Sequence, residues 1–217
     1  MDGATLQARI YHGYAEAAAK IGTAHTQYRP SSAINPLSAA LGTLAASFNI
    51  AGAYTNQAKQ DQILWQAVLD GSQVDIGDYL VGAETWAIIG KQALMPVLAM
   101  RCTDTLSMSR RNSTPTQGPD GTTYGTTQLA AAVPCYVQLK RDKGFSAPAG
   151  FQGGATNTSA PIPEWNIFVC LGGVTPAGFF QPGDVITTGA GETLKIDAAS
   201  TSTVMWQLAC TPYKPDA

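Results

Sequence analysis

The amino-acid sequence predicts a mainly β protein with two related antiparallel β-units, each a barrel or a sandwich, preceded by an N-terminal α-helix and an extended arm. Two observations predict this fold class. Short runs in which apolar and polar residues alternate recur from residue 63 onward. Residues 73–103 also match residues 180–211 in order and spacing. A repeat of this length indicates a duplicated β-unit, because a solenoid needs three or more copies of a shorter unit.

The internal repeat rests on three dipeptides, Gly-Asp, Glu-Thr and Cys-Thr, which occur in the same order in each copy. Each copy predicts a turn at Gly-Asp, a strand, a reversal, a strand through Glu-Thr and a last strand that ends at Cys-Thr. The pairs are Gly77-Asp78 with Gly183-Asp184 at an offset of 106 residues, then Glu84-Thr85 with Glu192-Thr193 and Cys102-Thr103 with Cys210-Thr211, both at an offset of 108 residues.

The first predicted element is a helix over residues 3–21. Asp2 supplies its N-cap and Gly22 ends it. The helix is rich in alanine, so it can approach a neighbour closely, and that neighbour is either its own β-domain or an adjacent subunit. Its apolar stripe consists of Leu6, Ile10, Tyr14, Ala17 and Ile21.

Residues 1–62 are predicted to comprise this helix and the extended arm. Residues 23–36 hold many turn-forming residues, which disfavours regular structure, and their prolines push the preceding residues to extended conformations. Residues 37–50 suit either a helix start or a strand, and the apolar alternation after Gly42 favours the strand.

The rest of the chain divides into two β-units. The first is predicted over residues 63–110. Residues 111–125 are rich in glycine, proline and threonine, and are predicted to form a linker or a long loop between the units. The second unit is predicted over residues 126–217, with a long loop at residues 145–163 that is functional or disordered.

Charge and hydropathy exclude several classes of function. Charged residues make up 13% of the chain, against about 25% in typical soluble domains. A net charge of −2 without a basic stripe argues against a nucleic-acid-binding surface. No apolar run is long enough to span a bilayer, and the N-terminus lacks the features of a secretion signal, so we expect synthesis and assembly in a cytoplasm. An uncharged polar surface suits contact with other proteins, but equally an unspecialised monomer.

The four cysteines are far apart and lack the C-x-x-C spacing of zinc sites. Each lies in an apolar, strand-like run, where a free thiol behaves as a small buried hydrophobe. Disulfide pairing is the alternative, and a cytoplasmic location disfavours it. The residues are Cys102, Cys135, Cys170 and Cys210, and the repeat puts the first and last at matching positions.

Motifs for catalysis are missing from the sequence. His12 and His25 have no partner at metal-ligand spacing, and no nucleophile motif such as G-x-S-x-G occurs. Asp78 and Asp184 suggest the two carboxylates of a glycosidase, but Gly-Asp favours turns in which Asp bonds its own backbone. We therefore predict a non-enzyme with no catalytic, cofactor-binding or metal-binding residue. The tryptophans favour core packing, with carbohydrate stacking as the alternative; they are Trp65, Trp86, Trp165 and Trp206.

Three stretches of the first half resemble a family of virion proteins encoded by tailed bacteriophages and prophages. They are ATLQARIYHGYAEAAAKIG, then YRPSSAINPL, and then GDYLVGAETWAIIGKQALMPVLAMRCTDTLSMSR within residues 73–110. In that family a helix is followed by Tyr-Arg-Pro, a strand pair, Gly-Asp-Tyr-Leu, an aromatic strand, and a stretch that ends in Arg-Cys. The second half is linked to the family only through the internal repeat, and no functional residue is carried over.

The resemblance implies a structural part of a virion, assembled in the host cytoplasm. We expect a ring-forming head-to-tail connection protein, such as an adaptor, stopper or collar below the portal. Its partners would be copies of itself and portal, adaptor or tail proteins, with DNA passing non-specifically through a channel and no membrane contact. The alternatives are a capsid decoration or baseplate/fibre-attachment protein, and a carbohydrate-binding β-module.

Overall fold

A computed structural model describes residues 2–50, 63–118, 121–140, 164–171, 173–202 and 204–213. Within these ranges the protein is mainly β, with one N-terminal helix and twelve strands, which confirms the predicted fold class. The elements are α1 (Gly3–Ile21), β1 (Thr23–Tyr28), β2 (Ala40–Ile50), β3 (Leu64–Val68), β4 (Tyr79–Val81), β5 (Thr85–Gly90), β6 (Val97–Cys102), β7 (Asp104–Gly118), β8 (Gly121–Lys140), β9 (Glu164–Cys170), β10 (Val185–Thr188), β11 (Thr193–Thr201) and β12 (Met205–Pro212).

The strands form two closed six-stranded antiparallel barrels with the same topology. Barrel 1 has the order β1-β2-β3-β6-β5-β4, and barrel 2 repeats it as β7-β8-β9-β12-β11-β10. Each barrel closes where its first strand pairs with its fourth, along β1–β4 and β7–β10. We call these two pairings the closing seams. The duplication predicted from the repeat is therefore present in the topology of the chain.

The third dipeptide of the repeat is out of register in the structure. Ile88 and Ile196 are equivalent, because each accepts a hydrogen bond from the glycine of its Gly-Asp turn. Ile88 pairs with Ala99 on β6, whereas Ile196 pairs with Cys210 on β12. Cys210 is thus equivalent to Ala99 and not to Cys102. Cys210 lies 14 positions after Ile196, whereas Ala99 lies 11 positions after Ile88, because β11 and β12 are longer than β5 and β6. No propensity in the sequence marked those extra residues.

The strands also divide the chain differently from the predicted domains. Within residues 1–62, β1 and β2 belong to barrel 1 and are not part of a separate arm. Residues 111–125, expected to be a linker or loop, lie largely in the long β7–β8 hairpin, whose pairing extends to Gly118–Gly121. Threonine is β-branched and fits strands, and here it outweighed the turn-forming residues. The loop predicted at residues 145–163 lies outside the described residues.

Helix α1 packs on barrel 1 with its predicted stripe only partly buried: Ile10, Tyr14 and Ala17 are half-buried, and the two ends of the stripe are exposed. The carboxylate of Asp2 accepts from the Thr5 N–H at 2.8 Å, so the predicted N-cap is present. Ala18 is the only helical residue that is fully buried. The Tyr11 ring lies against Gly71 in the β3–β4 turn. Ile21, at the end of the stripe, remains 66% exposed. Within the described ranges, no helix is both long and apolar enough to cross a lipid bilayer.

The connection between β1 and β2 joins barrel 1 to barrel 2. Ala33, only 7% exposed, packs in the core of barrel 2. The Ala33 carbonyl accepts from the Ala131 N–H at 3.2 Å, and the Asn35 N–H donates back to the Ala131 carbonyl at 3.3 Å. Asn35 has a φ of 59°, a left-handed conformation that asparagine tolerates. This part of the predicted arm is therefore used to connect the two barrels of one chain.

The barrels share an apolar interface centred on Tyr79. Tyr79 is buried in one apolar cluster with Tyr136 and Phe168 of barrel 2. Its hydroxyl donates to the Cys170 carbonyl oxygen, with the Pro134 carbonyl oxygen 3.3 Å away. Burial, followed by nearby cysteine thiols, raises the pKa of Tyr79 well above its usual range, so the hydroxyl keeps its proton and remains a donor.

All four cysteines are free thiols, which agrees with the packing role favoured by the sequence. Cys135, Cys170 and Cys210 are buried, and Cys102 is half-buried. Burial is the main cause that raises the pKa of Cys102, Cys135 and Cys210. A thiol with a raised pKa forms little thiolate, so these groups are chemically inert.

The close contact between Tyr11 and Gly71 provides a test of how α1 is held. A Cβ added at Gly71 would lie 2.4 Å from Cε1 of Tyr11. We expect Gly71→Ala to displace the helix from barrel 1, because overpacking of this kind costs roughly 1–3 kcal/mol. Trypsin should then cleave after Arg9 or Lys20 about tenfold faster, since cleavage follows the population of the open form.

Gly42→Ala is the matched control, because a Cβ there meets no heavy atom within 4 Å. We expect trypsin to cleave this control variant at the wild-type rate. Equal cleavage of wild type and Gly71→Ala would show that Tyr11 does not hold the helix in place.

Candidate functional site

Asp78 is the most strongly bonded side chain of barrel 1. Gly77 has a φ of 98°, which glycine adopts without strain, and this turn directs Asp78 into the barrel end. The carboxylate is 1% exposed. Arg29 donates two hydrogen bonds to this carboxylate, from Nε to Oδ1 at 2.7 Å and from Nη2 to Oδ2 at 2.9 Å. The Gln27 amide donates to Oδ2 at 2.7 Å, and the Asp75 N–H donates to the same oxygen at 2.8 Å.

Asp184 has the equivalent environment in barrel 2. Gly183 has a φ of 93°, and the Asp184 carboxylate is buried. Arg110 donates from Nε to Oδ1 at 2.7 Å and from Nη2 to Oδ2 at 2.6 Å. The Gln181 N–H donates to Oδ2 at 2.8 Å. Arg110 Nη2 also donates to the Phe179 carbonyl at 2.8 Å.

Both ion pairs lie at a closing seam. Arg29 follows β1 directly and Asp78 precedes β4, so their contact bridges the first and fourth strands of barrel 1. Arg110 lies within β7 and Asp184 precedes β10, so the same bridge forms in barrel 2. Buried carboxylates that are fully hydrogen-bonded to a guanidinium are strong, geometrically specific contacts. The two pairs therefore fix where each barrel closes.

The electrostatics of Asp78 favour its charged form. Burial alone raises the pKa of this carboxyl, but the hydrogen bonds from Arg29, the Asp75 backbone and Gln27 outweigh burial and hold the pKa below its usual 3.8. The pKa of Arg29 is raised, chiefly by its hydrogen bonds to Asp78. A carboxylate held this way is a poor general acid, because that role needs a raised pKa.

The two aspartates are bound by separate sets of donors. Each lies in its own barrel, and each carboxylate receives donors from its own arginine and its own turn. The turn chemistry favoured by the sequence is therefore present at both positions. The sequence-based prediction that the chain is not an enzyme stays a prediction.

The two histidines lie in different settings. His12 is exposed on α1, with Nε2 3.3 Å from Glu16 one turn later, so the prediction that His12 has no carboxylate at such a spacing was wrong. His25 on β1 is buried, and its Nδ1 lies 2.9 Å from the Thr23 carbonyl oxygen. Among the described residues, no group of three or more His, Cys, Asp or Glu side chains is placed to hold a metal ion.

His25 lines a cavity of about 260 Å³ at one end of barrel 1. Phe48 stacks on Trp86 with ring centroids 4.0 Å apart and planes 5° apart, and His25 meets Phe48 edge-on at 5.3 Å. Glu84 lies in the lining and pairs with Arg101 at 2.6 Å. We call this cavity, lined by Ile21, His25, Phe48, Glu84 and Trp86, the mouth of barrel 1.

The sequence did not reveal the partners of the aspartates. Arg29 was part of an irregular arm, and Arg110 was near the end of a predicted unit. One signal was available: a Gly-Asp turn that follows an apolar strand buries its carboxylate, and a buried carboxylate needs a cation. With only 13 lysines and arginines in the chain, the candidates were few.

No protein-family model, curated protein or solved structure matches this chain. Its role is therefore inferred from its own residues.

Removing the charge of Asp78 tests how much the ion pair at the closing seam stabilises the folded protein. Asp78→Asn removes the buried anion and leaves Arg29 only its exposed ion pair with Asp75. We expect the free energy of unfolding to fall by about 2 kcal/mol at pH 7, because charge-assisted hydrogen bonds to a buried carboxylate are lost. Asp184→Asn should have a similar effect. Glu84→Gln is the control, because the Glu84–Arg101 pair is about half-exposed and such pairs contribute less than about 1 kcal/mol. Urea denaturation measures the free energy of unfolding of all three variants.

The pH dependence follows from the lowered pKa of Asp78. A carboxyl with a depressed folded-state pKa stabilises the protein above its unfolded-state pKa, near 3.8, and loses that effect as pH falls through the folded-state value. The difference between wild type and Asp78→Asn should therefore be largest near neutral pH and shrink below about pH 4. A difference that stays constant down to pH 3 would contradict this assignment.

Proposed function

We propose that this chain is a structural subunit of a tailed-phage virion that forms a closed ring at the head-to-tail connection, as an adaptor, stopper or collar protein below the portal. The resemblance of its first half to phage virion proteins supports the proposal that the chain is part of a virion. A ring requires that each subunit present two different surfaces that meet on neighbouring copies. Two barrels joined through a shared core supply a stiff wall, and an incompletely buried helix supplies a contact.

The observation that carries the proposal is an apolar edge along α1. Leu6 on the helix, and Leu94 and Met95 in the β5–β6 connection, are all exposed. They belong together because the Leu94 N–H donates to the Gln7 side-chain oxygen at 2.5 Å. Leu94 also has a φ of 62°, an unfavourable conformation for leucine that strained contact sites often contain. Grouped apolar side chains on a surface mark contact sites more often than single ones.

The contact would be made by the helix and not by the arm. The extended arm predicted from the sequence is the other candidate for such a contact. Ala33 is instead buried in barrel 2 of the same chain, so this part of the arm is already occupied. The proposal therefore assigns contact with neighbouring subunits to α1 and the β5–β6 connection.

Passage of DNA through such a ring requires a channel that does not hold it. The net charge of −2 over 217 residues is compatible with this, because DNA retention depends on dense positive charge. A strongly basic lumen in the assembled ring would contradict this part of the proposal.

Two alternatives differ in the assembly they require. A decoration or baseplate/fibre-attachment protein of the virion would form trimers or lattice contacts. A carbohydrate-binding module would act as a monomer with two or more exposed tryptophans. All four tryptophans are buried or half-buried, so no observation favours that alternative.

Negative-stain class averages and light scattering of the purified full-length protein test the ring. We expect closed rings with one apparent mass across a range of concentrations. Leu6→Glu should shift the protein to monomers, because it places a charge in the apolar edge. A wild-type protein that remains monomeric or forms only trimers would contradict the proposal.

Leu139→Glu is the matched control, since Leu139 is comparably exposed on barrel 2. Its rings should persist. Loss of rings in the control alone would place the subunit contact on barrel 2 and contradict the assignment to α1.

A further inference from the structure

The side chains that line the mouth of barrel 1 can be compared with those at the equivalent positions of barrel 2. The seam register makes His25 equivalent to Leu106, because Tyr28–Tyr79 and Ser109–Val185 are matching pairs. Strand pairing likewise relates Phe48 to Val137 and Trp86 to Leu194. Barrel 2 thus fills these positions with aliphatic side chains. An aromatic lining with a histidine is therefore not required to close this fold, and it distinguishes the mouth of barrel 1.

The histidine in the mouth presents one hydrogen-bond acceptor. Its Nδ1 faces the Thr23 carbonyl at 2.9 Å. Because a carbonyl oxygen only accepts, Nδ1 carries the proton of the neutral ring and Nε2 has the free lone pair. His25 is 4% exposed, and within the described residues no group donates to Nε2. Nε2 lies beside Gly82, and the next residues, Ala83 and Glu84, also line the cavity.

The rest of the mouth combines apolar walls with Thr23 and Ser47, which carry hydroxyls, and with the carboxylate of Glu84. Phe48, Trp86 and Ala46 supply apolar walls, and exposed Ile21 stands at the opening. The Glu84 carboxylate is paired with Arg101 at 2.6 Å. A cavity of about 260 Å³ holds one substituted six-membered ring, since a benzene molecule fits a cavity of roughly 150 Å³. Sites with few polar groups gain specificity from each one, and the buried ring of His25 supplies an acceptor here.

We propose that the mouth of barrel 1 binds a phenol, with the ring against Phe48 and Trp86 and the hydroxyl donating to His25 Nε2. The phenol is either a free small molecule or the side chain of a tyrosine. This binding site goes beyond the proposed ring-forming role and does not depend on it.

The test compares 4-methylphenol with toluene, which has the same ring and methyl group but no donor. Each is titrated into the full-length protein labelled with ¹⁵N-histidine, and only two histidines need to be assigned. We expect 4-methylphenol to shift His25 Nε2 saturably and to bind about tenfold tighter than toluene, because toluene leaves a buried acceptor without a partner. Absence of a saturable His25 shift, or equal affinities, would overturn the proposal.

Two variants locate the site. His25→Leu introduces the residue found at the equivalent position of barrel 2, and it should abolish the preference for 4-methylphenol over toluene. Ala83→Trp should block the opening and weaken both ligands at least tenfold, and it does not alter the core because Ala83 is exposed. Ala198→Trp, at an exposed position of barrel 2, should bind both ligands as wild type does. Retained binding in a folded Ala83→Trp would place the ligand elsewhere and overturn the proposal.

N-acetyltyrosinamide distinguishes the two sources of the phenol. Affinity equal to that of 4-methylphenol indicates a tyrosine side chain, because the mouth then tolerates the attached peptide groups. Binding of 4-methylphenol alone indicates a free small molecule. Both results support the phenol site, and binding of neither compound contradicts it.

Discussion

The pair of a partly exposed arginine and a buried aspartate at each closing seam is the contact on which this structure depends. Each six-stranded barrel closes where its first strand pairs with its fourth. No turn joins these two strands directly, so no covalent link fixes the register of their pairing. Arg29–Asp78 and Arg110–Asp184 supply that register with two parallel hydrogen bonds each. The glycine before each aspartate makes the turn possible, so the Gly-Asp dipeptide and its distant arginine act as one unit.

The two closed barrels are combined into one body by elements that barrel 1 extends toward barrel 2. Ala33 fills part of the barrel 2 core, and Tyr79 binds the Cys170 carbonyl across the interface. Tyr79 follows Asp78 directly, so the residue that joins the barrels is positioned by the turn that closes barrel 1. Among the described residues, part of α1 is exposed and the mouth of barrel 1 is open.

Local patterns in the sequence predicted the local features of this structure. Asp2 as N-cap, the Gly-Asp turns and the mainly β class follow from propensity and alternation, which act over a few residues. The sequence did not predict that Arg29 reaches Asp78, that Ala33 enters barrel 2, or that Cys210 is equivalent to Ala99. These contacts join residues far apart in the chain, and no short pattern encodes them. The mouth of barrel 1 was missed for the same reason, since it combines β1, β2 and β5.

The coupling free energy between Arg29 and Asp78 tests the central claim most directly. A double-mutant cycle of Arg29→Met and Asp78→Asn, followed by urea denaturation at pH 7, isolates this term from other effects of each substitution. The account predicts a coupling above about 1 kcal/mol, and a similar value for Arg110→Met with Asp184→Asn. Additive effects in both cycles, within about 0.5 kcal/mol, would show that the seams close without their ion pairs and would contradict the account.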